Sequence, residues 1–153
     1  MSLANNRMAP PETRLLLVDD NESGLAARKS VLVELGYWIT TATDPIEVLA
    51  HFERGSFAIV ITDYKMPKMN GPLFIEKLRE VDPSLPIILI SGFVDSLGLS
   101  EASTGADVVI QKSSNEISHL LRAVARLMKR KTPKKPPSSQ AAQILVKAKT
   151  QEV

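Results

Sequence analysis

Hydrophobic residues in this chain fall mostly in short unbroken runs, each closed by a polar or charged residue. Arg14 to Val18 is apolar after its first residue and ends in Asp19-Asp20. Phe57 to Thr62 ends at Asp63, Pro86 to Ile90 at Ser91, and Asp107 to Gln111 at Lys112. Continuous β-branched runs bounded by turn signals predict strands buried on both faces. Tyr37 to Thr41 is polar on one side and predicts an edge strand.

The intervening stretches change to helical spacing. Asn21 or Ser23 caps a helix to about Leu35, with Leu25, Leu32 and Leu35 toward the core and Gly36 closing it. Asp44-Pro45 reads as N-cap followed by N1 proline, opening a helix to about Arg54 that carries Ile46, Leu49, Ala50 and Phe52. Asn70-Gly71 precedes a stripe of Phe74, Leu78 and Val81, broken by Asp82-Pro83-Ser84. Val94 to Thr104 is a poor helix containing Gly98. Ile117, Leu121, Val124 and Met128 line a long final helix capped near Ser114 or Asn115. Five strands alternating with five helices predict a doubly wound α/β fold, a parallel sheet with helices on both faces.

Composition refines this picture in two ways. The formal charge of +2 hides an asymmetry. From Lys129 onward seven basic residues face one acid, a net +6, so residues 1–128 carry −4. An acidic domain with a basic tail argues against nucleic acid as partner. The chain has no cysteine, which excludes disulfides and thiolate metal sites and fits a reducing cytoplasm. No apolar stretch approaches the roughly 18 residues of a membrane span, and no signal-peptide core is present. Residues 1–12 are expected to be a disordered leader whose Met1-Ser2-Leu3 has the look of a cloning remnant, 13–131 the folded domain, and 132–153 a Pro/Lys-rich tail whose end is frayed or, as the alternative, forms a short amphipathic helix that is marginal in water. His51 and His119 stand alone on helices and are expected at the surface. Trp38 is expected half-buried on the edge strand.

In a parallel sheet the closing residues of these strands share one edge. Asp19, Asp20, Asp63, Ser91 and Lys112 are therefore expected to converge there, where α/β folds bind ligands. Three carboxylates in one place repel, and Lys112 supplies a single compensating charge. Such a set suits magnesium, which takes hard oxygen donors and keeps several waters.

These residues resemble the response-regulator receiver domain, the phosphoacceptor module of two-component signalling, in a stand-alone form. Asp19-Asp20 match its acidic pair. Asp63-x-x-Met66-Pro67-x-Met69-x-Gly71 matches its phosphoacceptor loop, Ser91 its switch hydroxyl and Lys112 the lysine after strand five. The resemblance implies a flavodoxin-like five-stranded sheet of order 2-1-3-4-5. It implies that Asp63 takes a phosphoryl group from a sensor histidine kinase or phosphotransfer protein. Mg2+ would be held by Asp20, Asp63 and the Lys65 backbone carbonyl, with Asp19 acting through water. It further implies a cytoplasmic signalling switch rather than an enzyme, with a downstream protein target, a homodimer being compatible and no membrane involved. Two positions depart from the family pattern: Val109 stands where an aromatic switch residue is expected, and Ser113 replaces the proline after the lysine, so a trans bond is expected there. The competing reading is a phosphorylation-independent binding module on the same scaffold. An aspartate-nucleophile phosphatase fits less well, because Asp63-Tyr64-Lys65 lacks a second acid two residues on.

Overall fold

The computed structural model describes residues 13–131, apart from the Lys131 side chain; the expected leader and basic tail lie outside the described residues. The elements run β1 (Arg14–Val18), α1 (Glu22–Glu34), β2 (Trp38–Ala42), α2 (Pro45–His51), β3 (Ile59–Asp63), α3 (Gly71–Val81), β4 (Ile87–Ser91), α4 (Val94–Leu97), α5 (Glu101–Thr104), β5 (Val108–Gln111) and α6 (Glu116–Lys131). The five strands form one parallel sheet of order β2-β1-β3-β4-β5. No helix among the described residues is long and apolar enough to cross a membrane.

The unbroken apolar runs have a simple cause. Alternate residues of a strand point to opposite faces, and here both faces are covered. Leu15, Leu17, Ile59, Ile61, Ile88 and Ile90 pack on one side with Leu25 and Leu32 of α1 and Leu120, Val124 and Leu127 of α6. Leu16, Val18, Val60, Ile87 and Leu89 pack on the other with Phe74, Ile75 and Leu78 of α3. The central strands β3 and β4 are buried at every position.

Several sequence expectations shift. The helical stripe of α6 is Leu120, Ala123, Val124 and Leu127, with Ile117, Leu121 and Met128 only half-buried beside it. Both stripes are apolar, and Leu120, Ala123, Val124 and Leu127 are the ones buried in the cluster with the sheet. Leu35 lies just past the end of α1 as its C-cap, and α2 stops at His51 rather than Arg54. Ile46, Ala50 and Val81 are exposed, because the short α2 and the last residue of α3 overhang the core. Trp38 is 60% exposed, since β2 is an edge strand and no element among the described residues covers it. His51 and His119 are exposed as expected. The poor helix at 94–104 is two separate turns, α4 and α5, split at Gly98, whose φ is 62°. No peptide bond among the described residues is cis, including the one before Ser113.

The caps read at Asn21 and Asp44 hold, and Asn70 caps a third helix. The Asn21 side chain accepts the Gly24 N–H, Asp44 accepts that of Ile46, and Asn70 that of Leu73. Immediately after Asn70, the Gly71 N–H donates to the Tyr64 carbonyl at 2.6 Å and closes the loop that follows β3. A Cβ at Gly71 would stand 2.7 Å from the Asp63 carbonyl oxygen and 2.7 Å from Leu89 Cδ1. Gly71→Ala is therefore expected to cost about 2 kcal/mol through overpacking. Gly92→Ala, where a Cβ meets nothing within 4 Å, is expected to change stability little. Urea denaturation of the two variants checks the contrast.

Candidate functional site

Strand register assembles the site. Val18 pairs with Thr62, so Asp19 and Asp63 leave β1 and β3 side by side. Asp63 pairs with Ile90 and Ser91 with Gln111, and the Lys112 N–H donates to the Ser91 carbonyl at 2.9 Å. The polar closing residue of each strand thus lies along one sheet edge, as the sequence implied.

Asp19, Asp20 and Asp63 each present a carboxylate oxygen, and the three oxygens lie within 4.8 Å of one another. Asp19 and Asp63 are buried, and Asp20 is exposed at the mouth. Lys112 Nζ stands 3.3 Å from Asp63 Oδ1, which also accepts the Tyr64 N–H at 2.8 Å. Ser91 is fully buried, and its hydroxyl oxygen accepts the Phe93 N–H at 2.9 Å. Lys65 is exposed in the loop after β3; its Nζ lies 5.6 Å from the centre of the Phe93 ring, and the Tyr64 ring packs at a tilt against the same phenylalanine.

The electrostatics are uneven. Two like charges at this separation repel by on the order of 3 kcal/mol at an effective dielectric near 20. Burial, followed by the charge of Asp19, raises the pKa of Asp63, and Lys112 only partly opposes this. Burial also pushes Asp19 upward. The Asn21 amide and Arg28 outweigh it, with Lys112 assisting, and Asp19 ends below the ordinary carboxylate range.

Arg28 and Glu116 are the residues that sequence reasoning missed. Arg28 Nη1 donates to Asp19 Oδ2 at 2.8 Å and its Nε to Glu116 Oε2 at 2.6 Å. The cluster therefore has a second cation beyond Lys112. A signal existed: Arg28 sits between Leu25 and Leu32 at i+3 and i+7, a charged residue on the buried stripe of a helix. Glu116, 88 residues away, gave no such sign. Among the described residues every buried side-chain nitrogen or oxygen has a hydrogen-bond partner.

A buried, partly compensated set of carboxylate oxygens with one open member fits a hard divalent cation of the magnesium type. Residues 15–125 match the family model described as the response regulator receiver domain. Among curated relatives, the protein-glutamate methylesterase/protein-glutamine glutaminase 1 of Anaeromyxobacter dehalogenans is 30% identical over 122 residues, covering 78% of this chain and 34% of that protein. The probable transcriptional regulator ycf27 of Guillardia theta is 32% identical over 116 residues, covering 74% and 45%. The chain thus spans less than half the length of these two relatives. Among solved structures, the response regulator TrrA of Thermotoga maritima in complex with Mg(2+)-BeF superposes with a TM-score of 0.67 at 30% identity, covering 75% of this chain and 98% of that one. A CheY-like receiver domain protein of Methanospirillum hungatei gives 0.66 at 29%, covering 78% and 96%.

The raised pKa of Asp63 fixes the sign of a stability change. The folded protein holds the Asp63 proton more tightly than the unfolded chain, so this group subtracts stability as pH rises from about 4 through its folded value. Asp19 behaves oppositely, adding stability that is lost as pH falls below about 4. Without metal at pH 7, Asp63→Asn is expected to be more stable than the wild type by about 1 kcal/mol, the like-charge repulsion relieved less the attraction to Lys112 that is lost with it. The gap is expected to close toward acid pH, and to narrow when Mg2+ is added. Thermal melts across pH, with and without chelator, check this.

Proposed function

The chain belongs to the response regulator receiver domain family, a phosphorylation-dependent signalling switch, and on that premise we propose that Asp63 is its phosphoacceptor. The observation that carries the assignment is the 4.8 Å carboxylate cluster with Lys112 Nζ 3.3 Å from Asp63. Together they supply a nucleophile, an oxygen ligand set for a cation, and a fixed positive charge for the incoming group.

A carboxylate oxygen of Asp63 attacks the phosphorus of a donor phosphohistidine. The O–P bond forms as the N–P bond breaks, and the imidazole leaves with the electron pair. Asp20, Asp63 and the Lys65 backbone carbonyl would hold Mg2+, with Asp19 contributing through water. When bound, the cation supplies charge neutralisation for the phosphoryl oxygens. Lys112, already beside Asp63, pairs with one of these oxygens. Ser91 then donates its hydroxyl proton in a hydrogen bond to the new phosphate. Its oxygen already anchors the Phe93 N–H, so movement of Ser91 carries the 92–93 backbone with it. Water regenerates Asp63 by hydrolysis, so the chain acts as a consumed and restored acceptor rather than as an enzyme on a separate substrate.

Receiver domains work with histidine kinases and phosphotransfer proteins, and one of these is the proposed donor here. A downstream protein is the proposed target, and the cytoplasm the proposed location. Val109 offers no ring to swing between two positions. Its N–H donates instead to the Glu101 carboxylate at 3.2 Å, which ties α5 to the edge of β5. Output is proposed to run through the two short turns α4 and α5 and the glycine between them.

Incubation with acetyl phosphate and Mg2+ is expected to add the mass of one phosphoryl group, absent in Asp63→Asn and without metal; an unmodified wild type would leave only a scaffold. The acyl phosphate is expected to hydrolyse slowly, because neither Lys65 nor Phe93 offers an oxygen to orient the attacking water. Lys65→Asn, which supplies one, is expected to shorten the phosphoryl lifetime about tenfold, measured by loss of that mass after the donor is removed.

A further inference from the structure

Arg28 is a charged residue on the buried side of α1, its side chain only 8% exposed. A guanidinium stays protonated in proteins, so its burial must be balanced by acceptors. Two carboxylates do this. Asp19 Oδ2 takes Nη1 at 2.8 Å, and Glu116 Oε2 takes Nε at 2.6 Å. Gly24, one turn earlier, makes room: a Cβ there would stand 3.2 Å from Arg28 Nη1 and 3.4 Å from Asp19 Oδ2. Glu116 is the first residue of α6, where an acid is also favoured by the helix dipole.

The arrangement does more than hold two helices together. Asp19 has both oxygens engaged, Oδ1 by the Asn21 N–H at 2.9 Å and Oδ2 by Arg28, so its orientation is fixed with no metal required. Its negative charge is also partly neutralised before any cation arrives. A dication entering among Asp19, Asp20 and Asp63 is attracted by three carboxylates and repelled by two cations, Lys112 and Arg28. Lys112 stands beside the acceptor oxygen, where an incoming phosphoryl group needs it. Arg28 lies behind Asp19, and its charge bears on the metal rather than on that group.

We infer that Arg28 is a positioning residue for the divalent cation, an internal counter-charge that fixes Asp19 and limits how tightly the acidic edge binds metal, with Glu116 setting how much of that charge Asp19 feels. The inference rests on the metal role proposed for this cluster. Removing Arg28 deletes a competitor of the incoming cation; neutralising Glu116 leaves the guanidinium charge bearing on Asp19 alone. The two substitutions therefore move metal affinity in opposite directions. A purely structural ion pair would lower stability in both, by the same amount with or without metal, and leave affinity alone.

The test is isothermal titration calorimetry of the full chain with MgCl2, paired with melting temperatures in chelator and in saturating Mg2+. Arg28→Met is expected to melt lower than the wild type without metal, to bind Mg2+ on the order of tenfold more tightly, and to recover most of its lost melting temperature when Mg2+ is added. Glu116→Gln is expected to bind about threefold more weakly. Affinity unchanged or weaker in Arg28→Met, or unchanged or tighter in Glu116→Gln, overturns the inference. Should Arg28→Met fail to fold, the sign of the Glu116→Gln change decides the matter alone. A wild type that binds no Mg2+ overturns the metal reading together with the inference; a wild type that binds, with both variants matching it, overturns the inference only.

Discussion

Like charges forced together at the end of a parallel sheet are the constraint around which this molecule is arranged. The register that seats Val18 opposite Thr62 leaves Asp19 and Asp63 no freedom to separate. Each is buried, and each raises the energy of the other's ionised form. The fold answers with cations from two different places in the chain, Lys112 after β5 and Arg28 from α1, to which the proposed metal ion would add a third. The first two are built in, and they leave the cluster stable enough to exist but still short of positive charge. On the proposed function, that residual deficit is what would make it a receptor for a dication and, through it, for a phosphoryl group.

The rest of the architecture keeps these groups from relaxing. The central strands are buried on both faces, so sliding one past its neighbour would expose a full row of Ile, Leu and Val side chains. The loop after β3 is pinned by the Gly71 N–H on the Tyr64 carbonyl, and the glycine backbone lies too close to Asp63 for any side chain there. Rigidity at the acceptor contrasts with the region beyond β4. There two four-residue turns meet at a left-handed glycine, and few buried side chains hold them: Thr104 is the sole buried residue of α4 and α5. A stiff proposed acceptor beside a lightly held segment is an arrangement that suits a switch, because a small pull on Ser91 would meet little resistance there.

The departure from the family pattern at Val109 bears on the proposed route of output. With Val109 in place of an aromatic ring, the β5 edge is engaged by Glu101 from α5. Aromatic character lies instead at the mouth of the site, where Tyr64 and Lys65 pack around Phe93. Phe93 is two residues from Ser91 and 39% exposed, so it is well placed to register motion of the proposed switch hydroxyl.

Much of this was legible in the chain. Short β-branched runs, each stopped by a polar residue, determined the strands and the existence of a shared polar edge, because a two-sided buried strand has no other place for an acid than its end. Capping side chains at Asn21 and Asp44 marked where two helices begin, since those signals are local in sequence. The sheet order 2-1-3-4-5 came from family resemblance and not from periodicity, which carries no information on neighbours. Only the tertiary structure decided which of two apolar stripes α6 buries, that Trp38 stays in solvent, and that Arg28 joins Asp19 to Glu116. Each of these depends on contacts between segments far apart in the chain: a hydrophobic pattern states that a face must be covered, but the packing of the whole determines what covers it and which charges meet there.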